Sequence, residues 1–331
     1  MPVTTKQKKT PVTEPTLDKI HCLEINQLSP DFIQRVFQQA KVFGKQLLAP
    51  NKKSDLLAGR VVVNLFYENS TRTRSSFELA AKCLGADVLN FEVSTSAVKK
   101  GETLTDTIET LLAMKIDALV IRHQSSGIVH QVANTVGSRA VVINAGDGCH
   151  QHPTQALLDS YTLLNHFKST DLKGKKITIV GDILHSRVAR SDIQLFTQLG
   201  ATVHVVGPTS LLPAGLEVMG CITHTALEPG LLDADVVMAL RIQAERQDAG
   251  LIGSLSDFHK HYGLSHNVIQ QYCKPSVVIM HPGPMNRGVE ITSELADDKQ
   301  YSLIQQQVSN GVVIRMAVLS ELLKTKEAVS A

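Results

Sequence analysis

The sequence predicts an α/β protein of two doubly wound domains, each built on a mostly parallel sheet. Three observations carry this. The chain has 331 residues, about twice the usual size of one globular domain. Short β-branched runs alternate with helix-length segments from end to end, the pattern of βαβ units. Apolar residues make up 43% and charged residues 19%, a mixture that supplies real cores and excludes disorder or a fibrous repeat as the main state.

Taken in order, residues 1–16 are polar, rich in Lys, Thr and Pro, and lack an apolar core, so they read as a flexible tail and not as a signal peptide. Arg60–Phe66 is a β-branched run that predicts a strand. It leads through Ser70–Arg74 into a helix reaching Leu84, with Gly85 as its stop. Ala118–Ile121 and Ala140–Ile143 predict buried strands. A loop over Asn144–Gly148 follows, then a helix opening near Pro153, a residue suited to a first turn. In the second half, Lys176–Asp182 predicts a strand and loop, Ser186–Leu199 a helix, and Ala201–Val206, Asp235–Leu240 and Ser276–Met280 three more strands. Over Ser302–Lys324, the residues Val308, Val312, Met316, Leu319 and Leu323 fall on one helical face. Ser, Thr, Gly and Lys cluster near Asn165–Lys175. The boundary is placed there, giving a first domain over 17–165 and a second over 166–302.

Composition narrows the function. A net charge of +2 and a pI of about 8.2 do not predict a nucleic-acid partner. With 4% aromatics and no Trp, a base-stacking platform is a poor reading. The longest apolar runs, such as Ala118–Ile121 and Val236–Leu240, fall far short of a bilayer crossing, so no membrane role is expected. Cys22, Cys83, Cys149, Cys221 and Cys273 form no CxxC pair and read as reduced thiols of a cytoplasmic enzyme. The 13 His are scattered, and His150 with His152 lacks a third partner at ligand spacing, so neither a metal nor a cofactor is expected.

Ligands of such sheets bind at the carboxyl ends of the strands. Ser70, Thr71, Arg72, Thr73 and Arg74 follow a strand and open a helix. Free N–H groups and the helix dipole favour an anion there, and hydroxyls with two guanidiniums suit phosphate oxygens. The blander reading is a solvated basic helix start with a Ser or Thr cap. The run is no Walker loop, since GxxxxGK[ST] is absent. Gly181–Arg187 (GDILHSR) has one Gly where a dinucleotide fingerprint needs three. No covalent nucleophile with an adjacent base is evident.

Phe66–Glu78 (FYENSTRTRSSFE) resembles the carbamoyl-phosphate signature of the aspartate/ornithine carbamoyltransferase family. Four further segments match in order: Lys99–Thr103 (KKGET), Ile121–His123 (IRH), Gly146–Gln155 (GDGCHQHPTQ) and His281–Pro284 (HPGP). The match extends from about Leu17 to Leu323. Within the family, the chain is similar to the aspartate branch. It lacks the His-Cys-Leu-Pro and Ser-Met-Gly runs typical of ornithine enzymes, and Arg241–Arg246 (RIQAER) resembles the aspartate-binding run. The charge logic agrees: two carboxylates favour Arg, whereas ornithine would need an acid.

The resemblance implies transfer of a carbamoyl group from carbamoyl phosphate to the amine of L-aspartate, an early step toward pyrimidine nucleotides. Ser70, Thr71, Arg72 and Thr73 would hold the phosphate, and Arg122 would bridge phosphate and carbonyl. Thr73, Arg122 and His152 would point at the carbonyl oxygen, and Gln155 with the backbone of Gly283 and Pro284 would bind the carbamoyl amide. Lys100, Arg187, Arg241 and Gln243 would bind aspartate. Lys100, with Ser96, would reach in from a neighbouring subunit, which makes a homotrimer the minimal catalyst. Glu68 would pair with Arg187 and Arg246 when the domains close. A helix over 303–325 would return to complete the first domain. Relatives assemble further, up to dodecamers, with dihydroorotase-like or with regulatory chains. His152 precedes Pro153 at a helix start, where the dipole favours a neutral imidazole that donates a hydrogen bond. The rival readings are a sister enzyme acting on another amine such as ornithine, a non-catalytic scaffold of the same fold, and, more distantly, a nicotinamide-dependent dehydrogenase.

Overall fold

The computed structural model describes residues 21–92, 103–243 and 253–324. The N-terminal tail and the segment carrying Ser96 and Lys100 lie outside the described residues, as does Arg246. Among the described residues, no helix is long and apolar enough to cross a membrane.

The first half alternates β1 (Val61–Phe66), β2 (Asp87–Glu92), β3 (Ala118–His123) and β4 (Val141–Asp147) with α1 (Pro30–Leu48), α2 (Thr71–Cys83), α3 (Leu104–Ala113), α4 (Ile128–Val136) and α5 (Pro153–Phe167). Its sheet runs β2-β1-β3-β4, every pair parallel. The second half holds β5 (Lys176–Val180), β6 (Thr202–Val206), β7 (Cys221–His224), β8 (Val236–Ala239) and β9 (Val278–Met280), in the order β7-β6-β5-β8-β9, again all parallel. Its helices are α6 (Arg187–Gln198), α7 (Leu227–Leu231), α8 (Leu255–Tyr262), α9 (His266–Tyr272), α10 (Ser293–Asp297) and α11 (Ile304–Leu323).

Both faces of each sheet are covered, which is why the strands read as continuous apolar runs. Along β3, Ala118 and Val120 face one core, and Leu119 and Ile121 face the other with Val129 and Val132 of α4. In the second sheet, Ile177 and Ile179 face α6, whereas Val237 and Ala239 face Ile269 and Leu295. One core is continuous between the sheets through α5, α6 and α11. Helix α11 packs on α1, α2 and α5, so the chain's last helix returns to the first half.

Three features differ from the sequence expectations. The predicted loop over Asn144–Gly148 is strand as far as Asp147. Asn144 reads as a loop residue, but its buried amide donates to Leu23 O (2.9 Å) and Asp147 Oδ1 (2.8 Å) and accepts from Gly146 N (2.8 Å). A register shift opposite Ile121–His123 marks an irregularity at that end of the β3–β4 pair. Second, α11 is buried on more than one face: Val313, Ile314, Ala317 and Val318 join Met316, Leu319 and Leu323, while Val308 is half exposed. A helix enclosed by others needs no single apolar stripe. Third, the edge strands β2 and β7, which the sequence does not predict, carry polar residues such as Asp87, Asn90, Thr223 and His224 and so form no apolar run.

Candidate active site

The carboxyl ends of both sheets face one open cleft of about 1270 Å³. Ser70, Thr71, Arg72, Thr73, Arg122, His152, Gln155, Arg187, Arg241, Gln243, Gly283 and Pro284 all line it. Ser96 and Lys100 lie outside the described residues.

One end of the cleft is built by α2. Ser70 caps this helix, accepting from Thr73 N at 3.4 Å, and the first turn, Ser70 to Thr73, lines the cleft with N–H groups that have no partner within the helix. Arg72 lies against Gly283: a Cβ at that glycine would stand 2.7 Å from Arg72 Cζ, and Gly283 has φ +68°. Loss of hydration holds the Arg72 guanidinium below its ordinary range, and the positive charge of Arg241 adds to this. The two arginines, Arg72 and Arg241, thus share one electrostatic field.

Glu68 lines the same cleft. It accepts from Arg122 Nη2 at 2.7 Å, from Arg187 Nη1 at 3.1 Å, and from Arg187 Nη2. Arg122 Nη1 also donates to Ala145 O at 3.2 Å. Arg187 opens α6 behind its Ser186 cap, which accepts from Ala189 N at 3.0 Å. The expected Glu68–Arg187 pair is present, and Arg122 joins it. Gly146 makes this cluster possible: with φ +115°, its Cα approaches so closely that a Cβ would lie 2.9 Å from Arg187 Nε and 3.1 Å from Arg122 Nη1.

His152 occupies the N-cap position of α5 and is buried, but its side chain makes no cap hydrogen bond. Its backbone N–H donates to Ser191 Oγ at 2.8 Å, and its ring Nδ1 has no hydrogen-bond partner among the described residues. The imidazole is held well below its ordinary range, first by burial and then by the charges of Arg122, Arg315 and Arg187. Its neutrality therefore has stronger causes than the helix dipole on which the sequence argument relied.

The 281–284 turn is fixed from behind. His281 accepts Gly283 N–H on Nδ1 at 2.8 Å and pairs through Nε2 with Glu290 at 3.0 Å, which sets its tautomer. Its backbone N–H donates to Gln307 Oε1 at 2.9 Å. At the other end, Gln243 donates through Nε2 to His185 O at 3.0 Å, and His185 bonds Asp182 at 2.9 Å, so the segment after β8 is tied to the loop after β5.

Sequence reasoning missed Arg315, Gln307, Asp159 and Asp192. An arginine inside the apolar run Val312–Leu319 was the available signal: it is buried, lies over the Phe77 ring at 5.1 Å, and lines the cleft. Among the described residues, no group of three or more His, Cys, Asp or Glu side chains is arranged to hold a metal ion.

Two family models match, and together they span most of the chain. Residues 20–165 match the "Aspartate/ornithine carbamoyltransferase, carbamoyl-P binding domain", and residues 173–322 match the "Asp/Orn binding domain" of the same family. The chain belongs to the aspartate/ornithine carbamoyltransferase family. A family relative, the aspartate carbamoyltransferase catalytic subunit of Thermosynechococcus vestitus, is 49% identical over 320 residues, covering 94% of this chain and 96% of its own. The corresponding subunit of Acidiphilium cryptum is 51% identical over 305 residues, 92% of this chain and 96% of its own. Among solved family structures, Trypanosoma cruzi aspartate transcarbamoylase in complex with carbamoyl phosphate and aspartate superposes with a TM-score of 0.82 at 30% identity, covering 93% of this chain and 98% of that one.

Proposed function

We propose that the chain is the catalytic chain of an aspartate carbamoyltransferase, forming N-carbamoyl-L-aspartate and phosphate from carbamoyl phosphate and L-aspartate in the cytoplasm, on the route to pyrimidine nucleotides. The observation that carries this reading is the charge of the cleft. Arg72, Arg122, Arg187, Arg241 and Arg315 line it, against Glu68 as the one lining carboxylate among the described residues. Such a field calls for small, multiply negative ligands, and carbamoyl phosphate with aspartate supplies two of them. The Trypanosoma cruzi neighbour was crystallised with this pair.

In this reading the first turn of α2 (Ser70 to Thr73) takes the phosphate, and Arg187, Arg241 and Gln243 take the aspartate carboxylates. The amine attacks the carbamoyl carbon, the bond from carbon to the phosphate oxygen breaks, and the departing phosphate accepts the amine proton. Negative charge grows on the carbonyl oxygen, where Thr73, Arg122 and a neutral, donating His152 are preorganised. Alignment of the two reactants supplies about 7–11 kcal/mol of the barrier, so no covalent intermediate is required. Residues 17–165 with helix 303–325 form the carbamoyl-phosphate domain and 166–302 the aspartate domain. Ser96 and Lys100 complete the neighbouring site in a homotrimer, which can enter a larger assembly with dihydroorotase-like or regulatory chains.

The test is a side-by-side assay of the purified protein with carbamoyl phosphate and either L-aspartate or L-ornithine. Carbamoyl aspartate and phosphate in equal amounts are expected. Product with ornithine alone would overturn the assignment.

A further inference from the structure

Behind the cleft lies a pair of carboxyl groups that the mechanism above does not use. Asp159 on α5 and Asp192 on α6 are both 0% exposed. Asp159 accepts from Gln155 Nε2 at 3.1 Å on each oxygen and from Gln307 Nε2 at 2.7 Å. Neither oxygen of Asp192 meets a donor among the described residues, and Asp159 is near enough for its carboxyl to act on that of Asp192. An ionised Asp192 would be a buried charge with no hydrogen bond, next to a second carboxylate. Retaining a proton is far cheaper.

The surrounding charges decide where that proton sits. From α11, Arg315 attracts the negative charge of Asp159. From α5, His152 is neutral, and Arg187 of α6 is held by Glu68. Burial pushes both carboxyls above their ordinary range, and Asp159 pushes Asp192 further. Asp192 is therefore the donor and Asp159 the acceptor.

A carboxylate can only accept, so it dictates which way an amide faces. Gln307 must turn its NH₂ to Asp159, which leaves Oε1 for His281 N–H at 2.9 Å and so anchors the 281–284 turn. Gln155 must do the same, which leaves its Oε1 as the polar atom offered to the cleft it lines. We propose that the Asp159–Asp192 pair, sharing one proton, is a positioning device that fixes the Gln155 and Gln307 amides so that the pocket accepts an NH₂ donor, as on a carbamoyl group, and rejects the methyl of an acetyl group. This rests on reading the cleft as a carbamoyl-phosphate site.

The experiment compares kcat/KM for carbamoyl phosphate and acetyl phosphate at saturating aspartate, alongside the affinity for inorganic phosphate. In Asp159→Asn the new amide both donates and accepts, so Gln155 is free to flip. The preference for carbamoyl phosphate should fall by about tenfold or more, with phosphate affinity held within about twofold. A general loosening of the site would move both. Asp192→Asn still donates to Asp159 and should keep the preference. Independently of any variant at 159, the infrared spectrum of the wild-type protein at mildly alkaline pH should show one buried protonated carboxyl that Asp192→Asn removes. An unchanged preference in Asp159→Asn, or no protonated carboxyl in the wild type, would overturn the proposal. Failure of the wild type to turn over carbamoyl phosphate would instead sink the reading of the cleft, and the infrared signature would still report on the pair.

Discussion

Replacing Gly146 by alanine perturbs the site where Arg122 and Arg187 meet at Glu68. The residue has φ +115°, and a left-handed conformation of this kind costs an L-residue about 1–3 kcal/mol. The added methyl would also stand 2.9 Å from Arg187 Nε, closer than such contacts allow, and 3.1 Å from Arg122 Nη1, tighter than most. Both guanidiniums are tethered to Glu68, so they cannot retreat independently. On the proposed function, moving either by a few tenths of an ångström weakens one charge-assisted hydrogen bond to substrate, worth about 1.5–3 kcal/mol. At 1.4 kcal/mol per decade this is a loss of about 10- to 100-fold in kcat/KM. The assay is carbamoyl aspartate formation against both substrates, with thermal unfolding measured in parallel; the midpoint should drop by several degrees. A folded variant with wild-type kcat/KM and an unmoved midpoint would refute the argument that Gly146 is there to admit the two arginines.

Arg241→Ala should raise the KM for aspartate by about tenfold or more, the worth of a charge-assisted bond, and leave that for carbamoyl phosphate nearly unchanged; an unaltered aspartate dependence would remove Arg241 from that role. His152 is kept neutral far below its ordinary value, so kcat/KM should show no acid limb from it near pH 6.5. In stability the sign is the reverse of a paired histidine: the unfolded chain takes up a proton as pH falls through about 6.5 while the folded chain does not, so stability drops on acidification. His152→Asn should flatten that part of a plot of unfolding midpoint against pH, and an unchanged slope would show that another group sets it. Mixing Lys100→Ala chains with Arg72→Ala chains should restore activity through hybrid trimers if sites are shared between subunits, and recovery no greater than either parent would argue that each chain acts alone.

The sequence by itself determined the elements and the chemistry that local order dictates. Period and β-branching in Val61–Phe66, Ala118–Ile121 and Lys176–Val180 mark strands enclosed on both faces, and Ser70–Arg74 marks a capped helix start carrying two guanidiniums because the strand, the cap and the arginines are adjacent in the chain. Glu68 and Arg187 were paired through resemblance alone, and Arg122 joined them only in three dimensions. What the tertiary structure decided depends on residues far apart in sequence. Asn144 belongs to a strand because Leu23 and Asp147 satisfy its buried amide. Asp159 becomes an acceptor for Gln307, and Asp192 is left without a donor, only where α5, α6 and α11 pack together. Protonation and amide direction are set by burial and by neighbours, which a linear pattern cannot encode, whereas helix starts and strand runs are properties of a few consecutive residues.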